Sequence, residues 1–186
     1  MNLLSKIWEF VKAPYYGPIK ANNRLKAKLF FSLLFWQLLL AFTAGMVMGL
    51  FVTFFKLELG EHAIREMVAK NSFLKIFFLT AVIAPVLEEL LFRAPLGLFR
   101  NKSFYTYWFY FFTIAFGLVH LMNFENMGTA IWFAPILVSP QLIAGIFLGY
   151  TRNKLGLLYS MALHALFNLI LVSPILILKL LKGVVS

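Results

Sequence analysis

The sequence predicts an all-α fold, a polytopic transmembrane bundle of about five spanning helices plus short interfacial helices. Three observations carry that prediction. Of the 186 residues, 62% are hydrophobic and the mean hydropathy is +0.86, where a soluble domain averages about 45–50% apolar. Five apolar runs, near 29–55, 73–99, 104–122, 131–151 and 156–178, are long enough, or nearly so, to cross a hydrocarbon core about 30 Å thick. The Lys and Arg residues behind the net charge of +10 cluster between those runs, where anionic headgroups would meet them. The basic balance therefore points to a lipid bilayer as partner and away from nucleic acid.

Taken in order, residues 1–28 interleave Lys6, Lys12, Lys20, Arg24, Lys26 and Lys28 with Trp8, Phe10, Tyr15 and Tyr16, which is unlike a cleaved signal peptide. Leu3, Leu4, Ile7, Phe10 and Val11 recur at helical spacing, so a short helix lies in the interface until Pro14 and Pro18 break it. The first run, 29–55, carries Gly45 and Gly49, and the fourth carries Gly145 and Gly149; both pairs have the small-xxx-small spacing of close helix packing. The loop at 57–72 mixes Glu58, Glu61, Arg65, Glu66 and Lys70 and predicts an amphipathic outer helix, with His62 solvated in it. The third run opens on an aromatic belt of Phe104, Tyr105, Tyr107 and Trp108. Positive-inside counting puts the N-terminus, Arg100 with Lys102, and Arg152 with Lys154 inside; Lys179 and Lys182 count against it. One membrane domain is expected, with 1–70 supplying the interfacial segment, first helix and outer loop, and 71–186 the helical core.

The second run is the exception to lipid chemistry. Glu88, Glu89 and Arg93 lie inside it, and each charge at a bilayer centre costs about 2.5–3.5 kcal/mol on insertion scales. With no cysteine and no aspartate in the chain, thiolate chemistry is excluded and carboxylate chemistry must use glutamate. At about 100° per residue Glu88 and Glu89 point apart, whereas Glu89 and Arg93 are i and i+4 and can pair. His164 and Asn168 repeat that spacing, and His120 lies near the end of the third run. Measured along the helices at about 1.5 Å per residue, Glu88, His120 and His164 fall roughly 18, 25 and 13 Å above the inner boundary, a spread that helix tilt and breaks can absorb so that the three meet near mid-membrane. A Glu, two His and an Asn converging in a dry interior have the makings of a hydrolytic site. The competing reading of a single intramembrane His or Asn is an interhelical hydrogen bond, and Gln37 and Gln141 are read that way. Pro85, three residues before Glu88, frees a carbonyl and kinks the helix; it either opens space for water or serves packing alone. Glu125, beside Asn123 and Asn126, either lines the outer mouth of a cavity or is an ordinary loop residue, and the second reading is favoured.

Glu88-Glu89-x-x-x-Arg93, Phe116-x-x-x-His120 and His164-x-x-x-Asn168, in this order, resemble the signature motifs of the CPBP intramembrane proteases, the CAAX prenyl protease 2 and bacteriocin-processing (Abi) group. The resemblance covers about residues 75–178 and departs at Ala94, where members often carry glycine. It implies that Glu88 activates water with help from His120, that His164 and Asn168 hold the oxyanion, and that Glu89 and Arg93 support them. A membrane-associated peptide or protein is the implied substrate and a bacterial plasma membrane the expected location. The cofactor is either none or a divalent metal, zinc foremost, held by Glu88, His120 and His164. The metal-free reading is favoured because the helical His-Glu-x-x-His pairing of soluble zinc proteases is absent. The alternative to a protease is a bacteriocin-immunity or membrane scaffold protein of the same descent, and a transporter is disfavoured because inverted repeats are absent.

Overall fold

The computed structural model describes residues 2–60, 62–100, 103–126 and 128–185, all helix, turn or loop with no strand among them. Glu61 and Lys102, two of the charges used in the sequence argument, lie outside the described residues, as do the side chains of Arg65 and Lys182. The helices are α1 (Leu3–Lys12), α2 (Asn23–Phe54), α3 (Ala63–Lys70), α4 (Phe73–Phe78), α5 (Ala84–Phe92), α6 (Tyr105–Val119), α7 (Ala134–Leu137), α8 (Ser139–Lys154) and α9 (Leu157–Val185). A π-helical segment, Leu79–Ile83, joins α4 to α5.

The protein is an all-α membrane protein. Three helical stretches are long and apolar enough to cross a bilayer: Asn23–Phe54, Ala130–Lys154 and Leu157–Leu181. The other two apolar runs fold with interruptions. The run at 73–99 passes through the π segment, carries Lys75, Glu88 and Glu89, and leaves α-helix after Phe92. The run at 104–122 yields an α-helix of 15 residues that tightens into a 3₁₀ turn at His120.

Polar residues set the helix ends where the sequence supplies them. The side chains of Asn2, Asn22, His62 and Ser72 each accept a backbone N–H from the first turn of α1, α2, α3 and α4. His62 is thus a half-buried cap with its ring edge-on to Phe124, which corrects the expectation that it is merely solvated. The apolar stripe of α1 buries Ile7 and Phe10, with Leu3, Leu4 and Val11 beside them, against the main core.

α8 sits at the centre, packed on α1, α2, α6 and α9. A Cβ on Gly149 would stand 2.6 Å from Phe109, and one on Gly145 would stand 3.2 Å from Thr113, so both glycines let α6 approach α8. Gly45 and Gly49 do not serve α2 in that way: the nearest atom to a Cβ on Gly45 is 3.9 Å off, and Gly49 faces open space. Tyr105 is not a belt residue either. It is buried and its hydroxyl donates to the Asn153 carboxamide, while Tyr107 remains exposed.

The basic segments meet at one end of the bundle. Lys154 Nζ donates to the Gly17 carbonyl (3.2 Å) over the Tyr15 ring, and Arg152 Nε donates to the Arg93 carbonyl (3.2 Å). At the other end the 57–62 and 123–126 loops pair, with Asn126 N–H donating to Leu59 O at 3.0 Å. Lys179 also lies there, donating to the Val68 carbonyl (2.6 Å) near the C-terminus of α3, where a helix dipole favours a cation. That contact accounts for a lysine on the weakly basic side.

Candidate active site

Three elements deliver the intramembrane polar groups to one place. α5 presents Glu88 and Glu89 on different faces, the end of α6 presents His120, and α9 presents Ser160, His164 and Asn168 along one i, i+4, i+8 stripe. α5 packs on α6 and α9, which brings the three together.

Glu88 faces a cavity of about 720 Å³ between α2, α3, the α5 region, α8 and α9. Its Oε2 lies 3.6 Å from His164 Nε2 and 4.0 Å from His120 Nε2. That oxygen has no hydrogen-bond partner among the described residues. Both imidazoles are oriented from behind. His120 Nδ1 bonds the Phe116 carbonyl (2.7 Å), and His164 Nδ1 bonds Glu89 Oε1 (3.2 Å). Because a carbonyl and a carboxylate only accept, each Nδ1 carries the proton and each Nε2 is turned toward Glu88. The separations exceed direct hydrogen-bond length and suit a bridging water.

Glu89 is fully buried and takes the opposite side. Its Oε1 is 3.6 Å from Arg93 NH1 as well as bonded to His164, and its Oε2 accepts from Ser160. Ser160 Oγ also lies 2.9 Å from the Leu148 carbonyl, tying the carboxylate to α8. Arg93, equally buried, donates to the Gly145 carbonyl (3.4 Å) and stacks its guanidinium 3.9 Å above the Phe116 ring. Phe116 also meets His120 and His164 edge-on, at 4.8 and 5.7 Å between centroids, so one aromatic ring braces both imidazoles and the arginine.

Asn168 lines the same cavity, with Nδ2 donating to the Thr80 carbonyl at 3.1 Å. The geometric split between the glutamates is less clean than their spacing suggests, since His164 touches both. Ser160 and the Thr80 carbonyl were not singled out from the sequence. Ser160 was findable, four residues ahead of His164 on the stripe that already held Asn168. A backbone carbonyl leaves no residue-type signal at all.

Glu88, His120 and His164 are the donor types of a His₂Glu zinc site. A tetrahedral zinc with bonds of about 2.0–2.1 Å needs ligand atoms about 3.4 Å apart. The separations of 3.6 and 4.0 Å are wider, and among the described residues no group of three or more His, Cys, Asp or Glu is placed to hold a metal. The residues as they stand do not fit zinc.

The remaining polar candidates make no recorded hydrogen bond to this cluster. Gln141 lines the cavity wall from α8. Gln37 is fully buried in α2, with neither amide atom bonded among the described residues, contrary to an interhelical hydrogen bond. Glu125 lines a smaller recess of about 410 Å³ with His62, Glu66 and Asn123, and that recess shares His62 and Asn123 with the larger cavity.

A family model described as Type II CAAX prenyl endopeptidase Rce1-like matches residues 70–170, more than half of the chain and the stretch that holds Glu88 through Asn168. No curated protein and no solved structure matches.

Proposed function

Because the chain belongs to the Type II CAAX prenyl endopeptidase Rce1-like family of membrane endopeptidases, we propose that it hydrolyses a peptide bond of a membrane-associated substrate by glutamate-activated water. The observation that carries this reading is the convergence of Glu88 Oε2 with His120 Nε2 and His164 Nε2 at 4.0 and 3.6 Å on a largely apolar cavity. A water held between Glu88 and His120 loses its proton to Glu88 as its oxygen bonds the scissile carbonyl carbon. The carbonyl oxygen becomes an oxyanion, held by Asn168 and by His164 when its Nε2 is protonated. Glu89, bonded to Nδ1 of that imidazole, fixes the orientation of the ring. Collapse of the tetrahedral intermediate breaks the C–N bond, and Glu88 returns the proton to the leaving amine. Apolar walls from Phe42, Met46, Phe167 and Leu171 suit a greasy substrate chain and exclude bulk water. No step passes through a metal. The proposed setting is the plasma membrane of a bacterium.

Glu88→Gln should lower cleavage of a membrane-tethered peptide by about 10²–10⁴-fold, the contribution typical of a positioned base. Thermal unfolding should barely change, because the side chain is 27% exposed to the cavity. Full cleavage by Glu88→Gln sinks the assignment. Cleavage should also survive dialysis of the purified protein against a strong chelator; inhibition reversed by zinc would restore the metal reading. If neither wild type nor His120→Ala cleaves any membrane peptide, the scaffold alternative is favoured.

A further inference from the structure

The π segment ahead of α5 and the proline that follows it have a joint effect on the opposite helix. In an α-helix each carbonyl accepts from the N–H four residues on. Within Leu79–Ile83 the register is shifted, and Ala84 N–H donates to the Leu79 carbonyl five residues back. The next carbonyl, that of Thr80, would accept from residue 85 in the same register. Residue 85 is proline, which has no N–H. The two backbone positions able to serve Thr80 are therefore closed to it, one engaged with Leu79 and the other without a proton. A carbonyl facing the membrane interior must find a donor. The donor it finds is Asn168 Nδ2, 3.1 Å away on α9.

We propose that Pro85 and the π turn hold the Thr80 carbonyl open as an orienting acceptor for Asn168. That carbonyl, rather than the packing around it, decides which end of the carboxamide enters the cavity. Only the NH₂ end can face a carbonyl oxygen, so the usual ambiguity between Nδ2 and Oδ1 is resolved by chemistry. One of the two Nδ2 protons is engaged by Thr80, and the second is left for the cavity that Glu88 and His164 share. The torsion before a carboxamide is soft. Without the tether the group would swing and present oxygen as readily as N–H, and an oxyanion donor contributes most when it is aligned before the reaction. The Thr80 hydroxyl does not compete, since it donates back to Ile76 O at 2.8 Å. Pro85 and Thr80 are thus positioning residues acting through Asn168, and the inference rests on the reading of Asn168 as an oxyanion donor.

Two measurements test it. Solid-state NMR on protein isotope-labelled at asparagine side-chain nitrogens and threonine carbonyls should show a short-range dipolar coupling that disappears in Asn168→Ala. The same coupling should weaken in Pro85→Ala, whose restored N–H competes for Thr80. No coupling in the wild type, or one unchanged in folded Pro85→Ala, overturns the proposal. In kinetics, Pro85→Ala should lower kcat by about tenfold, part of the 10²–10³ typical of a lost oxyanion donor, with KM within about twofold. Placed on Asn168→Ala, it should lower kcat no further. A proline control in α9, Pro174→Ala, should leave kcat unchanged. Additive losses from Pro85 and Asn168 would mean that the proline acts through helix shape alone. Absence of cleavage in the wild type would refute the hydrolase reading, while the coupling would still decide the orientation of Asn168.

Discussion

Glu89 meets Arg93, His164 and Ser160 with only two oxygens, all in the dry interior. Removing one member of a buried, charge-balanced set is far more costly than removing an exposed ion pair, because the partner stays buried without compensation. Glu89→Gln should therefore lower the stability of the protein by about 3–5 kcal/mol in denaturant unfolding from detergent micelles. Ser160→Ala should cost less, about 1.5–3 kcal/mol, since it removes one hydrogen bond to a charged group. Equal stability of Glu89→Gln and wild type would mean that Arg93 is held by the Phe116 ring and the Gly145 carbonyl alone. The i, i+4 spacing made the Glu89–Arg93 pair legible in the sequence. The sharing of His164 between both glutamates was not, because it depends on the rotation of α9 against α5, which no spacing along one helix encodes.

At the scale of elements, the amphipathic α1 and α3 appear where the pattern of apolar residues places them, and Pro14 and Pro18 follow the end of α1. The glycine pairs separate two cases that look identical as sequence. Gly145 and Gly149 face α6, and the fully buried ring of Phe109 blocks a larger residue at 149. Gly149→Ala should cost about 1–3 kcal/mol by overpacking. Gly49→Ala, in open space on α2, should leave stability unchanged or slightly raised, since alanine restricts the unfolded chain. Thermal unfolding of the two variants side by side checks the contrast. The π turn is likewise invisible in composition. An α-helical register would make Ala81, four residues before Pro85, the bared carbonyl; the one-residue shift moves that role to Thr80.

For the whole molecule, basic segments gather at one end and the paired loops around Leu59 and Asn126 at the other, which is the arrangement that positive-inside counting requires. The chain has no cysteine, so single cysteines can report sidedness without background. Cysteine at Lys20 should react with an impermeant thiol reagent only from the cytoplasmic side of a vesicle, and cysteine at Glu125 only from the opposite side. The reverse pattern would invert the topology. Apolar length, basic punctuation and three ordered motifs are enough to give an all-α membrane protein and the residues that meet in its interior, because burial in lipid penalises every charge that lacks a purpose. Tertiary structure alone decided which partner each of those groups faces. Two imidazoles turned toward Glu88, a serine bridging Glu89 to α8, and an asparagine tied to a carbonyl bared by proline all arise between helices. Their relative rotation and register come from the packing of α5, α6, α8 and α9 around one another, a property of the folded bundle and not of any single segment.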